Sequence, residues 1–331
     1  MKKLTKQTHI GILTGGLLLS LSIIIAGTSI VSYHDTMEQL EINDPVYAVN
    51  NGDYAYTPLT VPEETVDLSA LNNGVAPASV QSVPSEFTIT GEVTAEKTQL
   101  VSYMLNSIDY LHRISIDFLR GMRPEEPLVR AVCESDLDIG YALQTSYSAD
   151  NSLMTQICSN GEDILTVYYN NQQYAIDENQ AWSREDDIAI PLEDRMSTME
   201  DGIPNYTYRR NITNCYLASY TIFPQELTFS YLKDFSTWDI VGNETYLDRT
   251  CVVVYGIPCD YIKEKHVLDT FTMYIDSETG VLMRLIGTLD GEARDMVKVL
   301  SCDFDACSVD ADTYSSLLDT VAALDYIEIE Q

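Results

Sequence analysis

Hydrophobic positions take up a helical spacing shortly after Gly91. Between residues 95 and 120 they recur every three or four positions, at Val101, Met104, Leu105, Ile108, Leu111, Phe118 and Leu119. This period predicts one long amphipathic helix over residues 95–120. Thr94 is the candidate N-cap, and Gly121 with Pro124 would end the helix.

Alternation of bulky and smaller side chains predicts short strands in the next part of the chain. The predicted strands are residues 139–147, 153–158, 164–169 and 173–176. Turn-forming pairs separate them, and Asn160-Gly161 is the strongest hairpin signal among these pairs. Four short strands joined by tight turns indicate an antiparallel meander.

The last third of the chain repeats the strand pattern. Short helices are predicted near residues 193–199 and from Pro224 to about residue 233, where proline takes the favoured first helical position. Strands are predicted at residues 206–210, 238–241, 249–256, 270–275, 281–288 and 296–304, and a final helix at about 311–324. Helices and strands follow each other in blocks, so the fold class is α+β with one large antiparallel sheet covered by helices.

The N-terminal part has a different pattern. Residues 10–33 carry no formal charge and follow Lys2, Lys3 and Lys6. A helix of this length spans ~36 Å, which is enough to cross the hydrocarbon core of a bilayer. By the positive-inside rule, the basic residues 1–9 stay in the cytoplasm and the rest of the chain after the helix is extracytoplasmic. The sequence therefore predicts a single-pass transmembrane signal anchor.

A secretory signal peptide is the competing interpretation of the same residues. Its apolar region is typically only ~7–15 residues long, whereas this uncharged run is longer. Ala26-Gly27-Thr28-Ser29 is the candidate cleavage site, and it lacks an A-x-A pattern. We therefore favour an anchor that is not cleaved.

Charge distinguishes the part that follows the anchor. The chain has 51 acidic and 19 basic residues and a net charge of −32, which repels nucleic acid. Residues 35–96 contain eleven acidic residues, no Lys and no Arg, and five of the eleven prolines. We interpret residues 34–92 as an acidic stalk that lifts a domain at residues 93–331 off the membrane. In the alternative, Tyr47, Tyr54 and Tyr56 dock this segment onto the domain as a strand.

Few residues form a pattern that catalysis or metal binding requires. His9, His34, His112 and His266 lack a second histidine at metal-ligand spacing, so surface positions are expected for them. The seven cysteines include no C-x-x-C pair, and their odd number leaves at least one thiol free or paired with another chain. Nucleophile-elbow, H-E-x-x-H, P-loop and dinucleotide motifs are absent. The sequence therefore predicts no catalytic residue, no metal and no cofactor, and it does not assign ligand-binding residues.

Acidic clusters and tyrosines leave further interpretations open. Carboxylates at Glu185-Asp186-Asp187, Glu200-Asp201 and Asp303 with Asp305 could bind calcium, although a solvated acidic surface explains them more simply. Asp276 is expected to stabilise a hairpin turn. Tyrosines on predicted strands could line a sugar or peptide groove, or they reflect strand propensity; they are Tyr168, Tyr169, Tyr174, Tyr206 and Tyr208.

The C-terminal part of the chain contains Trp238, Gly242, Glu244, Cys251-Val252-Val253, Gly256, Thr272-Met273-Tyr274-Ile275-Asp276, Thr279-Gly280-Val281-Leu282 and Leu285. With these residues it resembles the lipoprotein-carrier superfamily of extracytoplasmic domains, which includes lipoprotein-localisation carriers and regulators that bind anti-sigma factors. Residues 104–110 also resemble membrane-anchored relatives in Gram-positive bacteria, and the resemblance covers about residues 95–325. It implies an unclosed barrel, in which helices plug the open side of a strongly curved antiparallel sheet around an apolar groove.

Together these patterns predict a membrane-anchored extracytoplasmic binding or sensor module for an apolar ligand, such as an acyl chain, or for an envelope partner protein. An anchor suits a sensor or holder better than a carrier that must diffuse. Two alternatives remain: a cell-envelope hydrolase that uses acidic residues, and a structural surface protein without a ligand.

Overall fold

The computed structural model describes residues 87–121, 128–179, 189–198 and 204–329. All of them belong to one compact unit, Pro58–Gln331. The predicted cytoplasmic tail, the anchor and residues 34–86 of the predicted stalk lie outside the described residues. Within the described ranges, the helices are too short or too polar to cross a bilayer.

The described residues form five α-helices and fourteen β-strands. The helices are α1 Ala95–Leu105, α2 Leu192–Arg195, α3 Gln225–Tyr231, α4 Asp260–His266 and α5 Ala311–Ala323. The first eight strands are β1 Arg113–Gly121, β2 Val129–Asp136, β3 Tyr141–Tyr147, β4 Leu153–Asn160, β5 Asp163–Tyr168, β6 Gln173–Glu178, β7 Met196–Thr198 and β8 Pro204–Tyr206. The remaining strands are β9 Trp238–Tyr246, β10 Arg249–Gly256, β11 Thr270–Asp276, β12 Leu282–Leu289, β13 Glu292–Asp303 and β14 Ile327–Glu328.

Twelve of these strands form one sheet. Their order is β14-β6-β5-β4-β3-β2-β1-β13-β12-β11-β10-β9, and β7 pairs with β8 in a separate ribbon. Neighbouring strands are antiparallel, except that β14 is parallel to β6. Strands β9 and β14 form the two edges, so the sheet is not closed within the described residues. The predicted α+β class with one large antiparallel sheet is confirmed.

The sheet curves strongly at its β9 end. The hydroxyl of Tyr246 in β9 donates to the backbone carbonyl of Val299 in β13, at 2.6 Å. In a flat sheet, four inter-strand spacings would separate these strands by about 19 Å. The guanidinium of Arg249 also lies 4.5 Å from the ring centre of Phe304, which follows β13. The β9–β10 edge therefore folds over towards β13, which agrees with the predicted unclosed barrel.

The predicted helix over residues 95–120 is wrong beyond Leu105. Thr94 caps α1 as predicted, since its hydroxyl accepts from the backbone N–H of Lys97 at 3.2 Å. A short 3₁₀ turn follows, and residues 113–121 form β1 between β13 and β2. Buried Ile114, Ile116 and Phe118 repeat every second residue, which is the period of a strand and not that of a helix.

Most of the other predicted elements lie close to their expected positions. Strands β3 to β6 form the predicted meander, and Gly161 in the Asn160-Gly161 turn has a φ of +87°. Strand β10 has the predicted bounds. Besides β1, four elements were not predicted, namely β2, β7, β14 and α4. Strand β7 lies within the segment predicted as a helix near residues 193–199, and α4 occupies a segment that was expected to be a charged loop.

Both faces of the sheet carry covering segments. On one face, the backbone N–H of Ala218 donates to the Gln144 side chain of β3 at 3.0 Å, so the chain around residue 218 lies on this face. On the other face, α5 packs on the β3–β6 end. The residues of that core are Leu153, Cys158, Leu165, Val167, Tyr169, Tyr314 and Val321.

Residues 87–90 already contact the sheet. The ring of Phe87 lies edge-on to that of Tyr255, with centroids 5.9 Å apart. The hydroxyl of Thr90 donates to Asp239 at 3.2 Å, and the same carboxylate binds the ammonium of buried Lys97 at 2.5 Å. Residues 87–90 are therefore already packed against the sheet before α1 begins.

Candidate functional site

An open groove of about 770 Å³ lies between α1, α2 and the turn before β9. We call it the α1–α2 groove. Its walls are Val93, Thr98, Leu192, Glu193, Met196, Ser197, Tyr206 and residues 233–236. These residues come from four stretches of the chain, so no local motif in the sequence could identify them as one site.

Apolar surface makes up most of the groove lining. Val93 is 70 % exposed, and Leu192, Met196 and Phe235 remain partly accessible to solvent. Exposed apolar side chains that share a concavity, unlike isolated ones, are typical of a binding surface. The lining of the groove therefore suits an apolar partner.

Two aromatic supports hold the lining in place. The ring of Phe235 packs on buried Trp238, with centroids 5.6 Å apart, and the Trp238 indole donates to the Leu232 carbonyl at 3.1 Å. The ring of Tyr206 packs on Phe229 of α3 at 5.0 Å. The groove is thus built on the packed core, which favours a preformed site.

Charged groups lie at the edge of the groove. The ammonium of Lys233 is 5.7 Å from the ring centre of Tyr206. Asp234 has a structural role, because its carboxylate accepts from the backbone N–H of Ser236 at 2.9 Å and from the Ser236 hydroxyl at 2.6 Å. Lys233 therefore supplies a positive charge beside an apolar surface.

A buried arginine fixes the α2 wall. Arg195 is fully buried, and its guanidinium donates to the Leu105 carbonyl at 2.8 Å and to the Thr207 carbonyl at 2.6 Å. It also donates to the side chains of Asn106 and Gln225. These bonds tie α2 to the end of α1 and to α3, and they replace the water that a buried guanidinium loses.

A second cleft, of about 410 Å³, lies between α1 and strands β9 and β10. Its α1 wall includes Glu96 and Gln99, and the Gln99 amide donates to the Tyr103 hydroxyl at 3.0 Å. Its strand wall includes Ile240 and Asn243. Polar groups are prominent here, so this cleft is less suited to a purely apolar ligand than the α1–α2 groove.

The histidines differ in their environments. His112 is exposed, as expected, and its Nδ1 atom lies 2.9 Å from Oδ1 of Asp138. The same expectation is wrong for His266, whose side chain is only 11 % exposed and whose Nδ1 lies 3.5 Å from buried Asp295. The reason is that His266 ends α4 and does not belong to a surface loop. His9 and His34 lie outside the described residues.

The cysteines are all free thiols in this structure. Cys133, Cys158, Cys215 and Cys251 are buried, and burial raises the pKa of the Cys158 thiol to about 12. Among the described residues, no group of His, Cys, Asp and Glu could hold a metal ion. Of the acidic clusters, Asp303 accepts from the backbone N–H of Asp305 at 3.0 Å. The clusters at residues 185–187 and 200–201 lie outside the described residues.

Among the tyrosines considered from the sequence, Tyr206 lines the α1–α2 groove. Tyr169 is buried in the α5 core, and the hydroxyl of Tyr208 donates to Glu226 at 3.0 Å. The hydroxyl of Tyr174 faces Glu328 of β14 at 3.4 Å. The five tyrosines therefore do not share one groove.

No protein-family model matches the chain, and no curated protein matches it. Several solved structures are similar at low identity. An uncharacterised conserved protein from Thermus thermophilus is 8 % identical over 71 % of this chain and 98 % of its own, with a TM-score of 0.34. The Pseudomonas aeruginosa MucA/MucB complex matches at 12 % identity over 65 % of this chain and 59 % of its own, with a TM-score of 0.35.

The lipoprotein LppX from Mycobacterium tuberculosis is also similar, at 10 % identity over 66 % of this chain and 100 % of its own, with a TM-score of 0.32. Similarities of this size establish neither the family nor the function of this chain. Membership of the lipoprotein-carrier superfamily therefore stays a prediction.

Proposed function

We propose that this protein is a membrane-anchored, extracytoplasmic binding module of the cell envelope. Its α1–α2 groove takes an apolar ligand, either an acyl chain or an apolar segment of an envelope partner protein. The proposal rests on one observation: Val93, Leu192, Met196 and Phe235 share an open groove of about 770 Å³, and Phe235 packs on buried Trp238. Leaving such side chains in water is unfavourable, and a ligand that covers them recovers that free energy.

The groove walls carry two acidic residues, Glu193 and Asp234, and one basic residue, Lys233, so the Lys233 end is the part that suits a negatively charged group of an amphipathic ligand. Lys233 stands beside the ring of Tyr206 at the edge of the apolar surface. A ligand with an apolar body and a negative end would bury the body in the groove and place the end near this ammonium. In a chain with a net charge of −32, such a local positive group matters for the orientation of the ligand.

The location in the envelope is supported by the sequence. Residues 10–33 are uncharged, and three lysines precede them. This is the pattern of a helix that stays in the bilayer with its N-terminus in the cytoplasm. A module held in this way would bind ligands or partners at the outer surface of the cytoplasmic membrane.

Photo-crosslinking of the full-length chain tests the proposal. The protein is reconstituted in phosphatidylcholine nanodiscs and exposed to a photoactivatable palmitic acid, and the labelled peptides are mapped by mass spectrometry. We expect label on the peptides that contain Leu192 to Met196 or Phe235. The substitutions Met196→Asp and Phe235→Asp should each reduce this label at least tenfold, because a carboxylate in the groove must be desolvated when the acyl chain binds.

Ile139→Asp is the matched control, since Ile139 is exposed and does not line the groove. This variant should be labelled like the wild-type protein. Label that is confined to residues 10–33, or that is equal in Met196→Asp and wild type, would show that the groove does not bind acyl chains.

A further inference from the structure

Two basic residues lie directly opposite each other inside the strongly curved part of the sheet. Arg284 of β12 pairs with Lys298 of β13 in the antiparallel register. The same row continues to Tyr274 of β11 on one side and to Leu119 of β1 on the other. Directly opposite residues of antiparallel strands have side chains on the same face, about 5 Å apart at Cβ. The two cations are therefore neighbours.

Arg284 is buried without a counter-ion among the described residues. The residue is only 6 % exposed, and its Nε and Nη2 atoms have no hydrogen-bond partner there. Its contact is with the ring of Tyr274, whose centre lies 5.4 Å from the guanidinium carbon. A buried guanidinium with unused donors is costly, so this arrangement needs an explanation.

Two other arginines in the chain show what the Nε and Nη2 donors of a guanidinium bind. Arg130 donates from Nε and Nη2 to the carboxylate of Asp117, at 3.0 and 2.6 Å. Arg249 uses the same two atoms for Asp276, at 2.6 and 3.1 Å. In both cases the Nε and Nη2 donors bind the two oxygens of one carboxylate, which is the bidentate geometry that a guanidinium favours. The Nε and Nη2 donors of Arg284 are therefore suited to two oxygens of one oxyanion.

Lys298 adds a second positive charge at this place. Its side chain is half-buried, and its pKa is lowered, mainly by burial and then by the charge of Arg284. Like charges directly opposite each other in a sheet are destabilising. An anion between the two side chains would remove this repulsion.

Nearby polar groups are already engaged. The Tyr274 hydroxyl donates to the carboxylate of Glu244 at 3.1 Å, and the Tyr246 hydroxyl donates to the Val299 carbonyl at 2.6 Å. Glu244 keeps its negative charge, but among the described residues it forms no ion pair with Arg284 or Lys298. The counter-charge for the two cations is left to a ligand.

We propose that Arg284 and Lys298 form a binding site for a phosphate-type oxyanion. Two oxygens of the phosphate accept from Nε and Nη2 of Arg284, and a third accepts from the ammonium of Lys298. Inorganic phosphate and the phosphomonoester headgroup of phosphatidic acid both supply three terminal oxygens, whereas the phosphodiester of phosphatidylcholine has only two. The site shares no residue with the α1–α2 groove, so it stands or falls independently of the proposed function.

Thermal unfolding of the full-length chain in a neutral detergent tests this site. Chloride is replaced by phosphate at constant ionic strength, and in a second arm the chain is placed in phosphatidylcholine nanodiscs with or without phosphatidic acid. At a hundredfold excess over Kd, phosphate should raise the unfolding midpoint of the wild-type protein by about 5 °C. Stabilisation by both additives identifies a general phosphate site, and stabilisation by phosphatidic acid alone identifies a lipid headgroup site.

Three variants make the result specific. Lys298→Met and Arg284→Met should lose the phosphate-dependent shift, whereas Lys263→Met, which removes an exposed lysine of α4, should keep it. Without phosphate, Lys298→Met should unfold at a midpoint no lower than that of the wild type, because the repulsion between the two cations is gone.

If Arg284→Met does not fold, the response of Lys298→Met to phosphate tests the site by itself. A midpoint that is insensitive to both additives, or an equal shift in Lys298→Met, overturns the proposal. Met196→Asp should still respond to phosphate, which separates this test from that of the groove.

Discussion

The hydroxyl of Tyr246 donates a 2.6 Å hydrogen bond to the backbone carbonyl of Val299, four strands away in the same sheet. The contact is made because the β9 edge folds over towards β13. Burial raises the pKa of Tyr246 to about 12, and the positive charge of nearby Arg284 opposes this rise. The curvature of the sheet therefore places the phenol of Tyr246 in a partly buried contact between β9 and β13.

Tyr246→Phe should lower the free energy of unfolding by about 1 kcal/mol at pH 7, because it removes this hydrogen bond. The unfolded tyrosine titrates near pH 10 and the folded one near pH 12, so its contribution is present below pH 10 and is lost between pH 10 and 12. The stability difference between the variant and the wild type should therefore narrow over that range in urea unfolding. Tyr110→Phe, at a half-exposed tyrosine, should have little effect at pH 7. A difference in unfolding free energy that stays constant up to pH 12 would contradict the partly buried position of the Tyr246 hydroxyl.

Gly280 allows the turn after β11 to approach α1. Its φ is +75°, and a Cβ at this position would lie 2.4 Å from the Tyr103 carbonyl carbon and 2.7 Å from the Met104 nitrogen. Gly280→Ala should cost about 3 kcal/mol, from backbone strain and from displacement of α1. Gly291 is the matched control, because its φ is +82° but no atom lies within 4 Å of the same Cβ position. Gly291→Ala should cost only about 1 kcal/mol, and equal losses in urea unfolding would contradict the close approach.

Asp276 stabilises the same turn from inside the sheet, as the sequence predicted. Its buried carboxylate accepts from the backbone N–H of Thr279 at 2.9 Å and from both Nε and Nη2 of Arg249. Asp276→Asn should cost about 3 kcal/mol in urea unfolding, because it leaves Arg249 without this partner. Glu278→Gln removes a carboxylate that is 77 % exposed and also binds Arg249, and it should cost less than about 1 kcal/mol. Similar costs for the two variants would argue against a central role of Asp276.

Local patterns predicted the elements whose period is unambiguous. Strand β10 and the Asn160-Gly161 hairpin follow directly from β-branched residues and from a residue pair that tolerates positive φ. The helix over residues 95–120 failed at its second half, because Ile108 and Leu111 continue a helical spacing while Ile114, Ile116 and Phe118 begin an alternating one. Helix α4 was not predicted, because its charged Lys263-Glu264-Lys265 segment is typical of a surface loop when only the sequence is considered.

The candidate sites could not be predicted in the same way. Val93, Leu192 and Phe235 come together only through the packing of α1 and α2, which Arg195 fixes from a buried position. The opposition of Arg284 and Lys298 depends on the register of β12 and β13, and this register is set over the whole strand pair. The sequence shows that Arg284 and Lys298 are basic, but it does not show that they lie opposite each other on neighbouring strands.

Cysteine reactivity gives a simple test of the packing. Burial raises the pKa of Cys158 and of Cys251 to about 12, and the pKa of Cys215 is also raised, first by its contact with Cys133 and then by burial. Since the thiolate is the reactive form, these thiols should not react with N-ethylmaleimide at pH 8 until the protein unfolds. Mass spectrometry of peptides after timed labelling measures this, with the same protein in urea as the control. Rapid labelling of Cys158 in the native protein would contradict the α5 core.

The membrane anchor is the prediction that determines where all these sites operate. If residues 10–33 stay in the bilayer, a C-terminally tagged chain should require detergent for release from broken cells. Protease added to wall-stripped intact cells should remove the tag, because the domain lies outside. Replacing Leu19 and Ile24 by lysine should release the chain without detergent, since each charge at the centre of the helix costs about 3 kcal/mol of insertion free energy. The same positions changed to valine should leave the chain anchored. Release of the unaltered full-length chain without detergent, or a tag that survives the protease, would place the α1–α2 groove in a different compartment and remove the basis for an envelope ligand.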